Sequence, residues 1–202
     1  MTTEIHLHRD DEASKIGMWL FIFTEMLLFG GLFIAYSVYR FRNPDAFHLA
    51  ADELNRSVGI INTIVLLISS ATLAMALSAV QMGKIFHAKL LTTITIMLAF
   101  VFMINKYFEW GAKFEHHLYP GSEYLMELSQ GEILFFGLYF AMTGLHALHI
   151  LIGLVLMFVV LNRLQNNTIT SDNNILLENS GLYWHLVDII WIFLFPLFYL
   201  IT

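Results

Sequence analysis

VGIINTIVLLISSATLAMALSAVQM, residues 58–82, carries no charged side chain from end to end. At a rise of about 1.5 Å per residue, a helix of this length crosses a hydrocarbon core about 30 Å thick. In lipid every backbone N–H and C=O must be satisfied within the segment, so such a run reads as a transmembrane helix. Four more apolar runs of this kind surround it, at residues 16–38, 90–110, 133–161 and 181–201. The expected fold is therefore all-α, an integral membrane bundle of five transmembrane helices. Composition agrees: 58% of residues are hydrophobic, 13% are charged, and the mean hydropathy of +0.69 lies far outside the soluble range.

The connections are short except for residues 111–130, so no folded soluble domain is expected, and residues 16–202 read as a single five-helix membrane domain. Residues 1–15 are polar and acid-rich, which excludes both a signal peptide and an Arg-rich transit peptide. No internal repeat of the transporter kind is evident. Asn105, Lys106, Tyr107, Glu109 and Trp110 at the far end of the third span form the mixture expected at headgroup depth. Pro196 is expected to bend or end the last helix. Three small-residue stripes, Ser70 with Ala74 and Ser78, Gly31 with Ala35, and Gly137 with Ala141, predict close approach of helix backbones.

The absence of cysteine excludes disulfides, iron–sulfur clusters, thiolate zinc sites and covalent haem attachment. A formal charge of −6 with no basic cluster argues against nucleic acid and against a polybasic lipid anchor. Arg9, Lys15, Lys84, Lys89 and Arg163 fall on one side of the five spans, and Arg40, Arg42, Arg56, Lys106 and Lys113 on the other. This even split gives the positive-inside rule nothing to orient by.

Five ionisable residues lie inside the apolar runs: Glu25, His146, His149, His185 and Asp188. Such groups are costly in a bilayer and mark proton, ion or cofactor sites, or polar ties between helices. Glu25, about 3 Å from the centre of its span by helical rise, is either a neutral acid satisfied by a neighbouring helix or a carboxylate on a proton path or subunit interface. His146 and His149, three apart, share a helix face, and His185 and Asp188 repeat that spacing. Imidazole and carboxylate suit a metal, and a bis-His haem would need ligands on facing helices at matching depth. The Glu-x-x-His pairs of di-iron bundles are absent, so the balance favours interhelical hydrogen bonding, with a His-to-Asp or His-to-Glu pair between the fourth, fifth and first spans. His116 and His117 in the long connection read as exposed loop residues.

Thr143-Gly144-Leu145-His146-Ala147-Leu148-His149 in the fourth span and Tyr183-Trp184-His185-Leu186-Val187-Asp188-Ile189-Ile190-Trp191 in the fifth resemble the paired motifs of subunit III of the haem-copper terminal oxidases, cytochrome c oxidase subunit III. Thr24-Glu25, Asn62-Thr63, Tyr107-Phe108-Glu109-Trp110, Arg163 and Glu178 also fall where that family places similar residues. The resemblance runs from about Lys15 to the end, and the two motifs in this order are specific.

The resemblance implies an accessory subunit of a proton-pumping oxidase that reduces oxygen to water, with no catalytic residue and no metal of its own. Haem and copper would reside in the partner catalytic subunit I, with subunit II and a small subunit IV completing the complex. Subunit III supports proton uptake and turnover stability and holds phospholipid. Glu25 matches the family's carbodiimide-reactive carboxylate, and Arg163 an arginine that binds a phospholipid headgroup. His146, His149, Glu178, Trp184, His185 and Asp188 fall at the lipid-bearing groove or serve as interhelical ties. The implied location is a bacterial plasma membrane, with the amino terminus cytoplasmic and the carboxyl terminus outside. Longer members have seven helices with a lipid-filled cleft after the second; this chain matches the last five, as in five-helix bacterial forms. The alternatives are the equivalent subunit of a quinol oxidase or nitric oxide reductase, a b-type haem membrane anchor, and a small proton-coupled transporter built around Glu25.

Overall fold

The computed structural model of the protein describes residues 11–201. Most of the polar segment expected at residues 1–15, including Arg9, therefore lies outside the described residues. Those described form α1 (Asp11–Arg42), α2 (Pro44–Asp52), α3 (Arg56–Gln81), α4 (Ile85–Glu115), α5 (Glu123–Glu127), α6 (Gln130–Gln165) and α7 (Ile175–Tyr199), with no strand among them. Helices α1, α3, α4, α6 and α7 are each long and apolar enough to cross a membrane, as the five apolar runs predict.

All five helices are longer than their apolar runs, because backbone hydrogen bonding continues past the hydrocarbon edge wherever the ends are stabilised. Asp11 and Glu12 open α1 and Arg40 and Arg42 close it, each charge opposing the end of the helix macrodipole it meets. At the start of α6, Ser129 and Glu132 form a capping box in which each side chain satisfies the other's backbone N–H. Likewise α4 runs on to Glu115, which shortens the long connection expected at residues 111–130, and α5 occupies part of what remains. Pro196 does not end α7. The helix continues to Tyr199, since a proline removes only its own N–H and the bond from Leu200 N to Pro196 O, 3.3 Å, is unaffected.

Helix α2 was not expected. Pro44 sits in its first turn, where a missing N–H costs nothing, and Phe47, Ala50 and Ala51 share one buried face against α6.

Helices α6 and α7 form the middle of the bundle, with α3 and α4 packed on one side and α1 on the other. The small-residue stripes do not make the close approaches: Ala74 and Gly31 are exposed, and a Cβ on Gly137 would meet nothing within 4 Å. Close contact occurs instead at Gly131, where Ala46 of α2 would lie 2.5 Å from an added Cβ, and where a large ring lies on a glycine. A Cβ on Gly153 of α6 would come within 2.7 Å of the Trp184 ring of α7, and one on Gly59 of α3 within 2.8 Å of Phe195.

Candidate functional site

Glu25 sits near the middle of α1, where its Oε2 lies 3.1 Å from Nε2 of His149 on α6. The other ring nitrogen, Nδ1, is 2.8 Å from the Leu145 carbonyl oxygen one turn back. A carbonyl only accepts, so Nδ1 carries a hydrogen, and carboxylate and Nε2 share a single proton between them. Tyr183 of α7 donates to the His149 backbone oxygen at 3.0 Å and stacks on the imidazole, while Phe29 meets that ring edge-on. Aromatic walls thus enclose a polar tie between α1 and α6 at a depth where an uncompensated charge is costly.

The next two candidates are bound to α3. Nε1 of Trp184 donates to Ser69 Oγ at 3.1 Å, and Nδ1 of His185 lies 2.6 Å from Ser70 Oγ. Asp188 is buried beside the same Ser70 hydroxyl, with its Oδ1 unpartnered among the described residues. His146 makes no hydrogen bond among them; its ring, 1% exposed, stacks on Trp191 at 5.2 Å between centroids and meets Phe102 edge-on. The expected pairing of a histidine with a carboxylate is therefore found between Glu25 and His149, whereas His185 takes a serine.

Glu178, at the start of α7, forms an ion pair with Lys15 of α1 at 3.0 Å, and beside it Asn179 donates to Ser14 Oγ at 2.9 Å. Arg163 is exposed in the last turn of α6. Between α1 and α7 lies a groove of about 420 Å³ lined by Trp19, Met26, Phe33, Leu186 and Phe193, onto which His185 opens. His146, Trp184 and Asp188 face the interior of the bundle instead.

Lys106 and Glu109, which the sequence places in a headgroup-depth mixture, belong to a second buried polar cluster. One turn apart on α4, they form a closed ring with Tyr139 of α6 and Tyr199 of α7. Nζ of Lys106 donates to both tyrosine oxygens at 3.1 Å, and both hydroxyls donate onward to Glu109 Oε1, that of Tyr139 at 2.5 Å. Oε2 of Glu109 lies 3.3 Å from the ammonium. The rings of Trp110 and Trp191, 5.8 and 5.5 Å from Nζ, add cation–π attraction. The signal available in sequence was spacing: Phe102, Lys106, Glu109 and Lys113 recur on one face of α4, and all four are buried, while the intervening Tyr107 and Phe108 are exposed.

Among the described residues, no group of three His, Cys, Asp or Glu side chains converges as metal ligands.

Residues 5–202 match the family model for cytochrome c oxidase subunit III. The cytochrome c oxidase subunit 3 of Schizophyllum commune is 33% identical, over 96% of this chain and 70% of that protein. The quinol oxidase subunit 3 of Bacillus spizizenii is 31% identical, over 92% of this chain and 85% of its own length. The cytochrome c oxidase subunit 3 of Corynebacterium diphtheriae is 29% identical, over 96% and 91%. With a family match across nearly its whole length, the chain, a bundle with five candidate membrane-spanning helices, belongs to the cytochrome c oxidase subunit III family.

Proposed function

We propose that the chain is an accessory, redox-silent subunit of a proton-pumping haem-copper terminal oxidase, seated in a bacterial plasma membrane with its amino terminus cytoplasmic. In this reading residues 16–202 act as one membrane domain beside a catalytic subunit that holds the haem and copper. The observation that carries it is the use of the mid-membrane histidines: His149 is taken by Glu25, His185 by Ser70, and His146 is enclosed between Trp191 and Phe102. That arrangement suits a tie-bar scaffold better than a bis-His haem anchor. Helix α1 supports a membrane partner. Only 11% of its most apolar stretch is buried, against 56% for α7, so one face is left for a neighbouring subunit or lipid.

Glu25 is the residue assigned to proton chemistry, because one proton is shared with His149 beside an apolar groove that a phospholipid acyl chain fills. Arg163 and Glu178, at the same end of the bundle, are assigned to the headgroup side of lipid binding. The test is purification in mild detergent. A haem-containing catalytic subunit should copurify with this chain, and the separated chain should show no Soret absorption; a haem spectrum in the separated chain would defeat the proposal. Relatives named for cytochrome c and for quinol both match over most of their length, so reduction of the purified complex by ferrocytochrome c or by a quinol decides the electron donor.

A further inference from the structure

The ring of Lys106, Glu109, Tyr139 and Tyr199 is not walled in on every side. A cavity of about 390 Å³ lies where the start of α3 meets the end of α4, and Glu109 forms part of its wall with Val58, Asn105, Ala112 and Lys113. Two wholly buried atoms, one in this wall and one behind its Asn105, have no hydrogen bond among the described residues. One is Glu109 Oε2, which has the Lys106 ammonium at 3.3 Å as its ion-pair partner; the other is Nδ2 of Asn62, whose Oδ1 accepts from Asn105 Nδ2 at 2.8 Å. Buried polar atoms are costly to leave dry, and a polar cavity far larger than the roughly 30 Å³ share of one water molecule is where they find partners.

We propose that this cavity is a hydrated inlet through which Glu109 exchanges protons with the aqueous phase at the end of the bundle where α3 begins and α4 finishes. Glu53, Asn55, His116 and Phe108 complete the wall, so that six of its nine lining residues are polar or charged, which suits water better than acyl chains. Charged and titratable groups surround Glu109: Lys106 and Lys113 on α4, Tyr139 on α6 and Tyr199 on α7, while Glu53 after α2 and His116 after α4 line the same cavity. The ring itself can relay a proton while its own net charge stays constant. As Lys106 Nζ passes a hydrogen to a tyrosine oxygen, that hydroxyl passes its own to Glu109 Oε1, leaving a neutral amine and a neutral acid. Water at Oε2 connects this exchange to the outside. The site is separate from Glu25, since α1 does not pack on α4.

Brief hydroxyl-radical footprinting of the full chain in its native membrane tests the inlet, because radicals born from bound water oxidise the side chains beside it despite their burial. Tyr139 and Tyr199 should oxidise several-fold faster than Tyr36, which is equally buried but bonded to the Leu197 carbonyl away from the cavity. Ala112→Phe, which fills the cavity while leaving all four side chains of the ring in the sequence, should bring Tyr139 and Tyr199 down to the rate of Tyr36. A pH jump followed by infrared difference spectroscopy should give a carboxyl band that is lost in Glu109→Gln and kept in Glu25→Gln. Equal oxidation of the three tyrosines, insensitivity to Ala112→Phe, or a band unaltered by Glu109→Gln would each overturn the proposal.

Discussion

Glu25 of α1 and His149 of α6, 124 positions apart in the chain, meet at 3.1 Å inside the bundle. Because Nδ1 of the imidazole is already committed to the Leu145 carbonyl, the contact at Nε2 depends on the protonation of both partners. A double-mutant cycle of Glu25→Gln and His149→Phe should give a coupling of about 1 kcal/mol, the range of interhelical hydrogen bonds in membranes. Unfolding in mixed micelles measures it, and strictly additive losses would show that the two side chains do not interact.

The same depth governs reactivity. A hydrophobic carbodiimide partitions into the apolar groove beside α1, so Glu25 should be modified faster than the exposed Glu123 and Glu127. Peptide mapping of the labelled chain checks this, and a label confined to those two exposed α5 acids would remove the buried-acid assignment. Glu25→Gln should leave the haem content of the assembled oxidase unchanged while altering proton pumping or its durability.

Breaking the Lys106–Glu109 ring on one side leaves a buried charge without its partner. Lys106→Met alone should destabilise the bundle by about 3–5 kcal/mol, and adding Glu109→Gln should restore part of the loss, because a desolvated pair removed together leaves no orphan. Tyr139→Phe, which deletes one hydroxyl from the ring, should cost about 1–3 kcal/mol. Thermal unfolding of the three variants in detergent ranks them; a double variant no better than Lys106→Met would mean that the ring is not a unit.

Glycine substitution separates the real close contact from the apparent one. Gly153→Ala drives a methyl against the Trp184 ring 2.7 Å away and should cost about 1–3 kcal/mol as an overpacking change. Gly137→Ala meets nothing within 4 Å and should be neutral or slightly stabilising, since alanine is the better helix former. Comparing their unfolding midpoints is enough to check the pair.

Much of this was legible in the chain. The apolar runs located all five crossings, and the Thr-Gly-Leu-His and Tyr-Trp-His motifs pointed to the family that the comparisons show. Helix α2 was missed because only nine residues with a mild apolar face lie between charged neighbours, too short for periodicity to stand out. The inward orientation of Lys106 and Glu109 was hidden for a related reason: Tyr107, Phe108 and Trp110 beside them have the composition of a headgroup belt, and composition does not say which face of a helix turns inward. The stripes of small residues misled in the opposite sense, since a small side chain permits close approach but nothing in the chain obliges a neighbour to take it up.

By itself, the sequence determined the number of crossings and the all-helical class, because a backbone in lipid has no partner but itself and the length of each apolar run then sets the span. Only the tertiary structure decided which partner each buried polar group takes. His149 finds Glu25, His185 finds Ser70, Lys106 finds Glu109 with Tyr139 and Tyr199, and His146 finds only rings. These choices depend on helix rotation and depth, which are set by side-chain packing across elements far apart in the chain and leave no periodic trace within any one of them.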